Sequence, residues 1–197
     1  MVLFMAATGL GAADAAPKPA KSSAEQLREA AAAGQNLAAL RAKAGKGDAI
    51  AQFYLGMMYN IGEGVAKDPT EAVKWYRKAA EQGLAAAQYF LGRMYDDGED
   101  VAKDPVVAVQ WYRKAAEQGD ARAQYFLGRM YAIGEGVAKD PTEAVKWYRK
   151  AAEQGDADAQ YFLGWVYEFG VGVAKDPVAG VLWFRKAAEQ GDARAQS

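Results

Sequence analysis

The sequence predicts an all-α solenoid of four 36-residue helix pairs behind an N-terminal helical cap. Three observations carry that reading: the middle of the chain repeats every 36 residues, the same helix-start and helix-stop residues recur in each copy, and the apolar pattern within a copy has helical period. The blocks are 47–82, 83–118, 119–154 and 155–190. The first and third differ only at Ile50/Arg122, Phe53/Tyr125, Tyr54/Phe126, Met57/Arg129 and Asn60/Ala132. Such self-similarity marks stacked units that bury their apolar faces on one another.

Each copy holds two helices whose limits follow from local chemistry. In the first, Asp48 is placed to N-cap helix A, which runs to about Asn60, and Gly62 takes the left-handed conformation that ends it. The chain turns back over 62–67. Helix B opens at Asp68-Pro69-Thr70-Glu71, with aspartate as acceptor for the first-turn amides and proline at the position where no amide is needed. It stops at Gly83. Asp104-Pro105, Asp140-Pro141 and Asp176-Pro177 restate that opening.

Helix B is amphipathic: Ala72, Val73, Trp75, Tyr76, Ala79 and Ala80 cover about 160° of its circumference, with Lys74, Arg77, Lys78 and Glu81 opposite as a solvated face. On this pattern Trp75, Trp111, Trp147 and Trp183 belong to the core. Helix A is apolar nearly all round and must contact more than its own helix B. Gly56, Gly92, Gly128 and Gly164 lie inside it, where glycine costs about 1 kcal/mol against alanine, and predict close approach of two helix backbones. Gln52, Gln88, Gln124 and Gln160 are expected to bond inter-repeat backbone.

The ends follow a different grammar. Residues 1–15 combine an apolar stretch with small residues up to Ala15 and read as a secretory signal peptide, although no lysine or arginine precedes the apolar run. That stretch is too short to span a bilayer. Residues 16–21 read as a linker because of Pro17 and Pro19, and 22–46 as capping helices, one from a capping box at Ser22–Glu25 and a second over about 36–44. Residues 191–197 restate the start of a further repeat. The expected location is therefore periplasmic or secreted, and otherwise cytoplasmic.

Composition narrows the function. The 197 residues include no histidine and no cysteine, so imidazole bases, thiolate nucleophiles, zinc sites with nitrogen or sulfur ligands and disulfides are excluded. Serines and threonines are few, which speaks against an enzyme; no catalytic residue, cofactor or metal is expected. Twenty-four basic and 25 acidic side chains, interspersed, give a net charge of −1, which argues against nucleic acid as a partner. The acidic run Asp96-Asp97-Gly98-Glu99-Asp100 lacks the spacing of a calcium loop and reads as solvated.

The residues also carry a resemblance. Gly-Asp-Ala-x-Ala-Gln-x-x-Leu-Gly-x-Met-Tyr, then Gly-x-Gly-Val-x-Lys-Asp, then Ala-Val-x-Trp-Tyr-Arg-Lys-Ala-Ala-Glu-Gln-Gly is similar to the Sel-one-like repeat (SLR) family, over residues 47–190. The resemblance implies a right-handed α/α superhelix with helix A on the concave side, and scaffold or adaptor roles in protein complexes, often in the bacterial envelope. Leu84, Asp100 and Gly180 depart from the family pattern at a helix cap, a loop glycine and a helix B alanine. The alternative it carries is penicillin-binding or weak β-lactamase activity, attributed to cysteine-rich members whose repeats are disulfide-bridged; this chain has no cysteine.

Where the copies differ points to a surface. The clearly variable positions of helix A are spaced i, i+7, i+11 and fall on one face. They are Ile50, Met57 and Ile61; Ala86, Arg93 and Asp97; Arg122, Arg129 and Ile133; and Asp158, Trp165 and Phe169. Flanking pairs, Phe53-Tyr54, Tyr89-Phe90, Tyr125-Phe126 and Tyr161-Phe162, either floor this groove or support it from below. The reading is a groove for a partner polypeptide, aliphatic at one end, cationic at Arg93, Arg122 and Arg129, and aromatic at Trp165 and Phe169. The edge of the fourth helix B, around Trp183, Phe184 and Ala187, is expected to be partly bare and to support homodimerisation.

Overall fold

Aspartate caps set the rhythm of the molecule. In the computed structural model, which describes residues 37–98 and 101–195, the helices are α1 (Leu37–Gly45), α2 (Ala49–Ile61), α3 (Pro69–Glu81), α4 (Ala85–Asp97), α5 (Pro105–Glu117), α6 (Ala121–Ile133), α7 (Pro141–Glu153), α8 (Ala157–Phe169) and α9 (Pro177–Glu189), followed by a 3-10 turn, Ala193–Ala195. Among the described residues there is no strand. The Asp48 and Asp68 side chains accept from the amides of Ala51 and Glu71 at 2.9 and 3.0 Å, and the other copies repeat both bonds except at Leu84, which has no side-chain oxygen to offer α4. The signal peptide, linker and Ser22–Glu25 capping box, with Asp100 and the last two residues, lie outside the described residues.

Each helix packs against the next in chain order, which makes an all-α solenoid with its core between successive helices. Leu55, Leu91, Leu127 and Leu163 of the A helices and Tyr76, Tyr112 and Tyr148 of the B helices are fully or almost fully buried, among alanines that let the helices close up. The helix A glycines serve this packing, but what presses on them is a ring. A Cβ on Gly56 would lie 2.7 Å from the Tyr76 ring, and on Gly92, Gly128 and Gly164 it would lie 2.8 Å from Tyr112, Tyr148 and Phe184. The expected close backbone approach is also present: a Cβ on Gly92 or Gly128 would meet the Ala108 or Ala144 carbonyl at 3.3 or 3.2 Å, and one on Gly180 the Gly164 carbonyl at 3.0 Å.

Three contacts recur at every seam. Gln52, Gln88, Gln124 and Gln160 donate to the carbonyls of Ala44, Ala80, Ala116 and Ala152 at 3.0–3.1 Å, so the inter-repeat bond expected of them is present. Their amide oxygens in turn accept from Gln82, Gln118, Gln154 and Gln190 at 2.7 Å. An arginine of helix B reaches the tyrosine hydroxyl of the following helix A in the pairs Arg77–Tyr95, Arg113–Tyr131 and Arg149–Tyr167. The face assigned to solvent thus carries an inter-repeat tie.

The cap uses the same contacts. Arg41 donates to the Tyr59 hydroxyl at 3.2 Å and Ala44 receives Gln52, so α1 stands in the register of a helix B, with Leu37, Leu40, Arg41 and Ala44 exactly one repeat before Val73, Tyr76, Arg77 and Ala80. Sequence reading missed this because α1 lacks the Asp-Pro opening.

Two further expectations need correction. Of the four helix B tryptophans only Trp147 is buried; Trp75, Trp111 and Trp183 are half-exposed at the rim of the seam. Each of the four carries a lysine one turn on, Lys78, Lys114, Lys150 and Lys186, 4.0–4.2 Å above its ring. An indole too broad for the alanine-lined seam keeps one face outward and covers it with the aliphatic stem and ammonium of lysine. At the other end, the bare edge expected around Trp183, Phe184 and Ala187 lies elsewhere: Ala187 is buried and the two rings half-buried, whereas Val181 is 53% exposed where Val73, Val109 and Val145 are 4–9% exposed, and Val178 and Leu182 beside it are exposed too.

Candidate groove on the A-helix face

The aromatic pairs form the base of the variable stripe. Rings run from repeat to repeat: Phe53–Phe90 at 5.6 Å, Tyr89–Phe126 at 5.8 Å and Tyr125–Phe162 at 5.9 Å. Tyr76, Tyr112 and Tyr148 stack on Phe90, Phe126 and Phe162 from helix B. With Phe53, Tyr54 and Tyr89 buried and the later rings half-buried, the ladder supports the groove from below. Each offset or edge-on pair adds about 0.5–1.5 kcal/mol beyond area burial.

The predicted cations lie on that ladder, each held within the chain. Arg93 bonds Asp97 at 2.7 Å and lies 5.0 Å over Phe126; Arg122 bonds Asp120 at 2.9 Å and lies 4.4 Å over Tyr89. Arg129 reaches across the seam to Asp96 and shares the Phe126 ring at 5.0 Å. Asp96 is buried, accepts from the Tyr112 hydroxyl at 3.2 Å and belongs to α4 rather than to a solvated loop. Burial first, and the Asp96 carboxylate next, push the Tyr112 phenol above its usual range. Sequence reading assigned Asp96 to a solvated acidic run, although a signal for a special role existed: 60, 96, 132 and 168 read Asn, Asp, Ala and Glu.

The apolar members stand open. Ile50, Ile61 and Ile133 are exposed along the stripe, Met57 is half-buried, and Trp165 (40% exposed) and Phe169 (59%) pack in a tilted pair with centroids 5.1 Å apart. Asp158 is exposed and accepts from Arg194, which also bonds Asp192 and lies 4.5 Å over Tyr161. Arg194 therefore takes the place in the fifth unit that Arg122 takes in the third. Between repeats three and four the face sinks into a cavity of about 650 Å³ floored by Tyr148, Tyr161, Phe162 and Trp165. Among the described residues no cluster of carboxylates is arranged to hold a metal ion, and no helix is long and apolar enough to cross a membrane.

The Arg194 latch responds to acid. Its side-chain bond holds the Asp192 carboxyl below the usual carboxylate range, helped by backbone amides. A depressed carboxyl stabilises the folded arrangement above its unfolded pKa and loses that effect as pH falls through the folded value. The 3-10 turn is expected to be closed at neutral pH and to loosen only as pH falls beneath the ordinary aspartate range. Following the Arg194 Nε–H resonance from pH 6 to 2 checks this; a signal that persists unchanged to pH 2 contradicts it.

Comparison with known proteins places the fold. A family model described as the Sel1 repeat matches residues 49–84, 85–120, 121–156 and 157–192. The crystal structure of c5321, a protective antigen of uropathogenic Escherichia coli strains displaying an SLR fold, is 48% identical with a TM-score of 0.79, over 81% of this chain and 34% of that one. This chain thus spans about a third of the length of c5321. A Sel1 repeat protein from Oxalobacter formigenes is 41% identical with a TM-score of 0.80, over 88% and 72%. Helicobacter pylori cysteine rich protein B is 28% identical with a TM-score of 0.53, over 66% and 93%. No curated protein was found to match. With four consecutive matches covering most of the sequence and the same architecture in solved relatives, the chain belongs to the Sel1 repeat family.

Proposed function

We propose that this protein is a non-enzymatic interaction scaffold that holds a partner polypeptide along the face lined by α2, α4, α6 and α8. The observation that supports the reading is the row of exposed apolar side chains on that face, Ile50, Ile61, Ile133, Trp165 and Phe169, at positions where the copies differ. Large apolar groups aligned on one face are the usual material of a binding surface, and tryptophan is among the residues that dominate interface energy. Family membership supports it at a coarser level, since Sel1 repeats are commonly protein-interaction scaffolds. The arginines fit as rigid, ring-stacked elements of the groove wall, each already neutralised by a carboxylate.

An exported location belongs to the same proposal, supported by the pattern of residues 1–15 and by the likeness to an antigen of a pathogenic bacterium. Placing the photo-cross-linker benzoylphenylalanine at Ile50 or Phe169, and at Lys74 on the outer face as a control, tests the groove. Partner adducts are expected from the first two positions; adducts from Lys74 alone would sink the reading.

A further inference from the structure

The cavity between repeats three and four differs in its charges from the seam before it. Its lining includes Arg129, Lys139 and Arg194 and no carboxylate. Arg129 and Arg194 are neutralised by Asp96, Asp158 and Asp192, but Lys139 forms no ion pair among the described residues.

The repeat itself explains why. One repeat earlier the equivalent lysine, Lys103, bridges to Glu135 of the following loop at 2.7 Å. Shifting both positions by 36 residues gives Lys139 and Val171, so the carboxylate that would have received Lys139 has become an apolar side chain, and Val171 lines the cavity. The same substitution removes an internal anion and enlarges an apolar surface. Trp165, where the other copies carry Met57, Arg93 and Arg129, adds the aromatic wall.

We propose that this cavity is the anchoring subsite of the groove and takes a bulky apolar side chain of the partner, with Lys139 binding a carboxylate next to it in the peptide. The inference rests on the groove reading and specifies its ligand. Cavities of this size that are mainly apolar and carry few polar groups suit one large side chain oriented by one charge. An exposed lysine makes the orienting charge a modest contributor to affinity, and a clear one to selectivity.

The test uses three acetylated, amidated tetrapeptides titrated into the full chain: Ala-Phe-Glu-Ala, Ala-Phe-Gln-Ala and Ala-Ala-Glu-Ala, read by the Trp165 indole N–H resonance. The Phe-Glu peptide is expected to shift it saturably, the Phe-Gln peptide to bind about three- to fivefold more weakly, and the Ala-Glu peptide to give no saturable shift. Lys139→Gln is expected to erase the preference for Glu over Gln, and so is Val171→Glu, which restores the internal bridge while keeping the lysine. Absence of a saturable shift, equal affinity for the Glu and Gln peptides, or a preference that survives Lys139→Gln overturns the inference. Cross-linking from Ile50 and Phe169, outside the cavity lining, reads the groove proposal separately. Adducts there with no Glu preference leave the groove and remove the subsite.

Discussion

Gly136→Ala is expected to destabilise the protein by about 3–4 kcal/mol, although the residue lies in a loop between two helices. Gly136 has φ 68°, which an alanine adopts only at a cost of about 1–2 kcal/mol. The second cost is steric and larger. A Cβ there would lie 2.1 Å from the carbonyl oxygen of Pro105, at the start of helix B of the preceding repeat, and backbone cannot rotate away as a side chain can. Gly64 supplies the control: its φ is 71°, but the nearest atom to its Cβ would be the flexible Met58 Cε at 3.0 Å. Gly64→Ala is expected to cost only about 1–2 kcal/mol. Urea unfolding of the two variants checks both, and equal midpoints would show that the loop does not bear on Pro105.

Asp96→Ala is expected to cost about 2–3 kcal/mol. Removing one partner of a buried ion pair costs about 3–5 kcal/mol, and the lower figure follows because Arg129 is 35% exposed and regains some hydration. The Tyr112 hydroxyl loses its acceptor as well. Asp97→Ala, which breaks the exposed pair with Arg93, is expected to cost no more than about 0.5 kcal/mol. Adding Arg129→Met, the residue of the first repeat, to Asp96→Ala should recover most of the loss. Unfolding midpoints of the two singles and the double give the coupling, and strictly additive losses would mean that the pair carries no energy of its own.

What could be read from the sequence was whatever a few neighbouring residues decide. Asp48 and Asp68, Pro69 and Gly62 fix helix ends through bonds spanning three or four positions, and those ends lie within a residue of expectation. The variable stripe was legible for a related reason, since helical spacing alone puts Ile50, Met57 and Ile61 on one face. Apart from the glutamine bonds, contacts between repeats were not. Arg129 meets Asp96 across 33 positions and Lys103 meets Glu135 across 32, separations that acquire meaning only once the stacking is known. The tryptophans failed differently, because a helical wheel registers which way a side chain points but not how wide the seam is.

The glutamine ladder has a consequence for the history of such a chain. Each glutamine joins a carbonyl eight residues before it to a glutamine 30 residues after it, and the pattern closes only when the next copy begins on schedule. Gain or loss of 36 residues restores every rung. Within the helices a change of any other length leaves buried amides facing the wrong partners, so unequal recombination with break points there is filtered to whole units by the hydrogen bonds themselves. Proteins of this construction can thus change length in steps while each seam remains chemically the same.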